Sequence, residues 1–154
     1  MGKRIRIYVD TSVIGGCLDN EFEKHSNQLF EEFTVGKKRL VISDLVLFEL
    51  EGAPENVREV LNRVIEDKIE YVFRNEELMS LANVYLKEGV IAENSISDAR
   101  HIAIATVEKV DVLVSWNFKH IVNLNRIHLI NSVNLKLGYP MLEIRSPLEV
   151  IYEG

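Results

Sequence analysis

Short apolar runs separated by helical stripes set the pattern of this chain. Arg4-Ile5-Arg6-Ile7-Tyr8-Val9 alternates polar and apolar positions before Asp10, which predicts a first strand. Leu40-Val41-Ile42-Ser43 is a continuous apolar run of the kind found in strands covered on both faces, and predicts a second. Ile69 to Phe73, Val112 to Ser115 and Ile127 to Ile130 predict a third, fourth and fifth. Between them lie residues at helical spacing. Leu29, Phe30 and Phe33 mark one stripe, and Leu78, Leu81, Ala82, Tyr85 and Leu86 another. Val57, Val60, Leu61, Val64 and Ile65 mark a third, which Pro54 is expected to open because proline fits an early helical turn. Strands alternating with helices predict an α/β domain with a mostly parallel sheet. Leu142 to Pro147 reads as a last extended segment with no assigned partner. No linker, repeat or low-complexity run divides the chain, so residues 1–154 are expected to form a single domain.

Composition narrows the setting. A chain of 154 residues, 47% of them hydrophobic, can bury a core without a disulfide or metal staple. One cysteine, Cys17, rules out an internal disulfide framework and suits a reducing cytoplasm. No apolar stretch approaches the ~20 residues that span a bilayer, so no membrane role is expected. Basic residues between Met1 and Arg6 are not followed by an apolar segment, which predicts no secretory leader. The net charge of −6 argues against a generic cationic nucleic-acid binder. That figure hides an asymmetry. Residues 19–93 hold 17 acids against 9 Lys and Arg, residues 94–154 hold six of each, and Val112 to Leu142 has no acid at all. The acid-free stretch is where a phosphate backbone would be best tolerated.

Open α/β sheets bind ligands beyond the carboxyl ends of their strands. The first predicted strand ends in Asp10-Thr11-Ser12, and the second in Ser43-Asp44, with Glu49 a little over one turn into the next helix. The fourth ends in Ser115-Trp116-Asn117, and Asp98 stands in the first turn of a helix through Ala103 and Ala105. Asp10, Glu49 and Asp98 are thus expected to converge on one sheet edge. Carboxylates held together raise one another's pKa unless a cation neutralises them. Their hard oxygens suit Mg2+ or Mn2+, which can activate water and stabilise charge on a phosphoryl oxygen.

Each acid also has a plainer reading. Asp10 could cap the helix after the first strand, and Asp98, three residues after Ser95, resembles part of a capping box. Glu49 lies within the apolar stretch Leu45 to Leu50, where an unpaired buried charge is costly, unless it faces solvent. His101, one turn from Asp98, is expected to be a structural hydrogen-bond partner for it rather than a general base. Cys17 has no redox partner motif and is assigned no catalytic role. Asp111 precedes the fourth strand and should lie at the opposite edge.

The combination is more specific than its parts. Tyr8-Val9-Asp10-Thr11-Ser12-Val13-Ile14 resembles the opening motif of PIN domains, the family of VapC-like metal-dependent ribonucleases. Ser43-Asp44-Leu45 through Glu49 is similar to the second motif, and Ser97-Asp98-Ala99-Arg100-His101-Ile102-Ala103-Ile104-Ala105 to the third. Val112 to Phe118 sits where the fourth belongs, and the match spans residues 5–131. The resemblance implies a three-layer α/β/α sandwich around a mostly parallel five-stranded sheet. It implies that Asp10, Glu49 and Asp98 are the catalytic carboxylates and bind Mg2+ or Mn2+, with Asn117 in a fourth ligand position where many members have Asp. An Asn offers a carbonyl oxygen but no charge, which weakens binding of a second metal.

By the same resemblance Thr11, Ser12 and Ser115 serve the substrate or water bound to the metal. Trp116, Lys119, His120 and Arg126 follow the site: the cations are expected to hold phosphates, and Trp116 to stack on a base. The alternative packs Trp116 and Phe118 under a loop. The implied activity is endonucleolytic hydrolysis of RNA by the toxin of a type II toxin–antitoxin pair, with an antitoxin protein as partner and a homodimer as assembly. The competing reading is a weakened or inactive PIN-like module that binds RNA or protein, motivated by Asn117. An aspartyl-phosphate phosphatase would want a second Asp where Ser12 stands, and the glycine spacings of dinucleotide and P-loop sites are absent.

Overall fold

The computed structural model describes residues 4–151. Five strands form one parallel sheet: β1 (Arg6–Val9), β2 (Arg39–Ser43), β3 (Ile69–Val72), β4 (Val112–Val114) and β5 (Ile144–Arg145). Their order is β3-β2-β1-β4-β5. Ile7 stands opposite Leu40 on one side and Val112 on the other, so β1 is the centre of the sheet. Ile7, Tyr8, Val9, Leu40, Val41 and Ile42 are fully buried, as expected of a sheet covered on both faces.

The helices are α1 (Thr11–Gly16), α2 (Glu23–Thr34), α3 (Asp44–Leu50), α4 (Glu55–Arg58), α5 (Glu76–Lys87), α6 (Ile96–Val107), α7 (Leu124–Lys136) and α8 (Pro147–Ile151). They complete a three-layer α/β/α arrangement, with α5 packed on α6 and α2 on α1 and α8. Side-chain caps begin three of them. Ser43 accepts from Val46 N at the start of α3, Asn75 from Leu78 N at α5, and Asn123 from Arg126 N at α7.

Two expectations are corrected. Ile127 to Ile130 is not a strand; it lies within α7. Ile130, Asn131, Val133 and Asn134 are its buried residues, a helical spacing that a four-residue apolar window cannot distinguish from a strand. The fifth strand is instead β5, inside the extended segment Leu142–Pro147, and it pairs with β4 through Leu113–Ile144 and Val114–Arg145. The stripe from Val57 to Ile65 is not one helix either. After α4 the chain tightens into a 3-10 turn (Glu59–Arg63), and Val64 is already extended. Val60, Leu61 and Val64 still reach the core, while Ile65 is exposed. Pro54 stands one residue before α4, at its cap.

Candidate active site

The chain runs outward from β1 to β2 and β3, then returns to the other side of β1 for β4 and β5. The crevice where the winding reverses therefore lies between the carboxyl ends of β1 and β4. Asp10 follows β1 and Ser115 follows β4, and the two are joined there: Asp10 N donates to Val114 O at 3.3 Å, and Ser115 Oγ to Asp10 Oδ2 at 2.6 Å. Ser12 Oγ donates to the other carboxylate oxygen at 2.6 Å. Asp10 occupies the cap position of α1, but its side chain makes no cap hydrogen bond. It is directed to Ser12 and Ser115 instead, and the capping reading fails.

Asp98 enters from the first turn of α6. Ser95, at the cap of α6, makes no side-chain cap bond either, so the capping box does not form. Asn117 Nδ2 donates to Asp98 Oδ2 at 3.3 Å, while Asn117 N donates to Ser115 Oγ at 2.9 Å. One connected set thus runs Asp10–Ser115–Asn117–Asp98. Burial pushes the Asp10 carboxyl above its ordinary value despite the hydrogen bonds it accepts. Burial, and then the nearby charge of Asp10, push Asp98 up as well. Both carboxylates therefore sit where a positive counter-charge would stabilise them.

Glu49 forms a second set. Its carboxylate accepts from Thr11 Oγ1 and Ser97 Oγ through short hydrogen bonds, and it is 2.8 Å from His101 Nε2. Burial would raise its pKa, but the hydrogen bond and electrostatic attraction of His101, with the hydrogen bonds from Ser97 and Thr11, outweigh that and bring it down to about 2. Glu49 is thus a half-buried carboxylate held ionised by three donors. It is neither solvated on an outer face nor unpaired. His101 does not partner Asp98 as expected: its ring bonds Glu49 on one side and Tyr8 on the other.

The remaining sequence-predicted residues fall into three groups. The hydroxyl protons of Thr11, Ser12 and Ser115 go to carboxylates, so donation from any of them to a phosphate would break an existing bond. Lys119 is exposed near the site, and His120 N donates to Asn117 Oδ1 at 2.9 Å. Arg126 is half-buried and donates to Val90 O at 2.6 Å. Trp116 is corrected. It is only 8% exposed, stacks on Phe22 at 4.3 Å between ring centres and donates from Nε1 to Ser26 Oγ. It has no open face for a base, whereas Phe118, packed against it edge-on, is half exposed. The loop-packing reading holds for Trp116.

Sequence reading missed Ser97, Tyr8 and Ser43. The first is visible only as the residue before Asp98, and the other two look like ordinary strand positions. Asp111 lies at the opposite edge as expected, accepting from Arg6 N at 2.7 Å. Cys17 is buried, and burial pushes its thiol up to about 11, which leaves it inert as a nucleophile.

Among the described residues, no three His, Cys, Asp or Glu side chains are grouped closely enough to form a ready-made metal site. Mg2+ commonly takes only one or two carboxylates and keeps water for the rest. Asp10 and Asp98, two partly desolvated carboxylates whose repulsion their hydrogen bonds only partly offset, fit that requirement.

Fold and site together define an α/β/α domain with acidic side chains gathered at the switch point of a parallel sheet. Comparison with solved structures specifies the fold. The chain is similar to VapC20 of Mycobacterium tuberculosis, a Sarcin-Ricin loop cleaving toxin, at 16% identity over 73% of this chain and 91% of that one, with a TM-score of 0.57. It is similar to VapBC2 of Rickettsia felis, solved bound to a DNA fragment from their promoter, at 16% identity over 92% and 98% of the two chains and a TM-score of 0.57. VapBC-1 of nontypeable Haemophilus influenzae matches at 18% identity over 94% and 99%, with a TM-score of 0.56. No family model matches the sequence, and no curated protein matches it either. The chain has the VapC-like PIN-domain fold. No helix among the described residues is long and apolar enough to cross a membrane.

Proposed function

We propose that this chain is a Mg2+- or Mn2+-dependent endoribonuclease and the toxin of a toxin–antitoxin pair, working in the cytoplasm as a homodimer and restrained by an antitoxin protein. The observation that carries the reading is the pair Asp10, buried, and Asp98, half-buried, both pushed toward the neutral form and both at the switch crevice of a PIN-like sheet. The shared fold of a toxin that cleaves the Sarcin-Ricin loop supports RNA as the substrate, and that of two VapBC assemblies supports an antitoxin as the partner.

A bound divalent cation supplies Lewis-acid stabilisation of the phosphoryl oxygens and lowers the pKa of water. Asp10 and Asp98 would hold it, with the Asn117 side chain beside Asp98. Ser12 and Ser115 fix the Asp10 carboxylate so that little reorganisation is needed on binding. Glu49, kept ionised by its donors, adds negative charge on the same edge. Lys119, His120 and Arg126 lie on the acid-free segment and are suited to phosphate contacts that set register rather than sequence preference.

The test is cleavage of RNA by the purified chain with Mn2+ or Mg2+. Cleavage should stop on chelation and in Asp10→Asn; cleavage that continues unchanged in that variant overturns the reading. For the biological setting, expression of the chain alone should arrest growth, and co-expression of a protein encoded beside it should relieve the arrest. Growth unaffected by an active enzyme would remove the toxin role.

One observation favours a second reading. The Asn117 amide already offers Asp98 a hydrogen-bond donor where a cation would otherwise be needed. In a non-catalytic RNA- or protein-binding module that donor would replace the metal. Calorimetry separates the two, since a module of this kind shows no heat of Mg2+ or Mn2+ binding.

A further inference from the structure

Three side chains behind the carboxylate site form a buried row that the proposed reaction does not use. Tyr8 and Ser43 are fully buried and His101 is 3% exposed. Ser43 Oγ is 2.8 Å from Tyr8 Oη, which is 2.6 Å from His101 Nδ1; His101 Nε2 is 2.8 Å from Glu49 Oε1. Val46 N donates to Ser43 Oγ at 3.1 Å, as the cap of α3. An ionised carboxylate only accepts, so the bond between His101 and Glu49 is donated by Nε2–H. On its other edge the ring is held by Tyr8, whose hydroxyl is itself held by Ser43.

We infer that His101 is a positioning residue for Glu49: Ser43 and Tyr8 hold the Nδ1 edge of its ring, which aims Nε2–H at the Glu49 carboxylate and clamps it. This rests on the proposed nuclease reading for its functional consequence, although not for the hydrogen bond itself. Thr11 and Ser97 complete the clamp from α1 and the start of α6. Three donors occupy three of the four acceptor sites of the carboxylate, so its orientation is determined and one site stays free. The clamp joins β1, β2, α1, α3 and α6 at one point, which makes Glu49 the least adjustable of the three acids.

Two experiments test this, and they fail separately. The first needs neither metal nor RNA. Proton–nitrogen correlation spectra of the full chain labelled in its imidazoles should show a slowly exchanging His101 Nε2–H, and Tyr8→Phe should speed its exchange. A His101 Nε2 without a bound proton overturns the inference whatever the enzyme does. The second compares His101→Gln with His101→Asn. Gln can bring an amide N–H near the position of Nε2 and keep the bond to Glu49; Asn reaches only the position of Nδ1. With RNA and Mn2+, His101→Asn should lower kcat by about a hundredfold with little change in KM, the cost of misplacing one catalytic group. His101→Gln should recover most of it at equal thermal stability. Equal kcat in wild type and in folded His101→Asn overturns the positioning role, whereas absence of cleavage in wild type counts against the nuclease reading.

Discussion

Ser115 Oγ donates a hydrogen bond of 2.6 Å to the carboxylate of Asp10, 105 residues earlier in the chain. The bond closes the gap between the ends of β1 and β4, and both residues are buried. It partly compensates the charge of Asp10, which burial nonetheless drives toward the neutral form. The site is therefore assembled at a cost in stability.

Asp10→Asn is expected to abolish metal-dependent cleavage and, in metal-free buffer, to raise Tm by a few degrees. The folded carboxyl has a raised pKa, so the native state binds its proton more tightly than the unfolded chain does. The penalty is absent below the ordinary carboxylate value, grows as pH rises through it, and is complete above the raised folded value. Thermal melts at neutral and mildly acidic pH check this: the gain should shrink as pH falls. A lower Tm at neutral pH would contradict it.

Asn117→Asp removes the donor to Asp98 and adds a third acid to a pair already in repulsion. Metal-free Tm should fall, and calorimetric affinity for Mn2+ should rise by about tenfold or more, since added carboxylate charge favours a divalent cation. The two changes should appear together, so that added Mn2+ restores the lost Tm.

Trp116 is expected to matter for folding and not for binding RNA. Truncation to Ala removes a ring stacked on Phe22 and a bond to Ser26, and should cost ~3–5 kcal/mol in urea unfolding. Trp116→Phe should keep the KM for RNA while losing part of that stability. Gly16→Ala should act on the same contact. An added Cβ there would stand 2.6 Å from Ser26 Oγ and 2.7 Å from Trp116 Nε1, an overpacking worth ~1–3 kcal/mol. A raised KM in Trp116→Phe would restore the base-stacking role.

Glu49 has the opposite pH signature to Asp10. Its folded pKa is lowered to about 2 by the hydrogen bond and electrostatic attraction of His101 and by the hydrogen bonds from Ser97 and Thr11. The stability it contributes is therefore fully present above the ordinary carboxylate value and is lost as pH falls toward that folded value. Glu49→Gln should lower Tm at neutral pH, and the difference from wild type should close in strong acid. A difference that stays constant with pH would mean that the contribution is packing rather than charge.

Four strands were legible from local pattern because runs such as Leu40-Val41-Ile42-Ser43 are too short and too apolar to be anything else between helical stripes. The fifth was misplaced because Ile127 to Ile130 shares its apolar density with a strand, while Asn123, whose side chain caps α7, went unread as a start signal. In the stripe from Val57 to Ile65, Val60, Leu61 and Val64 kept their burial although the helix did not continue, since a tightened turn can still direct them to the core, while Ile65 turned outward.

The amino-acid order alone determined the class of fold and which acids stand at strand and helix ends, because hydrophobic period and strand-end polarity are local properties. It also determined that Asn, not Asp, follows Trp116. Which hydroxyl serves which carboxylate was decided only by the tertiary structure. Thr11 is next to Asp10 in sequence yet bonds Glu49, and His101 is one turn from Asp98 yet bonds Glu49 and Tyr8. Trp116 lies beside the site yet turns into the core. The physical reason is that buried polar groups must find partners wherever packing brings them. In this chain those partners come from strands and helices ~35–105 positions apart.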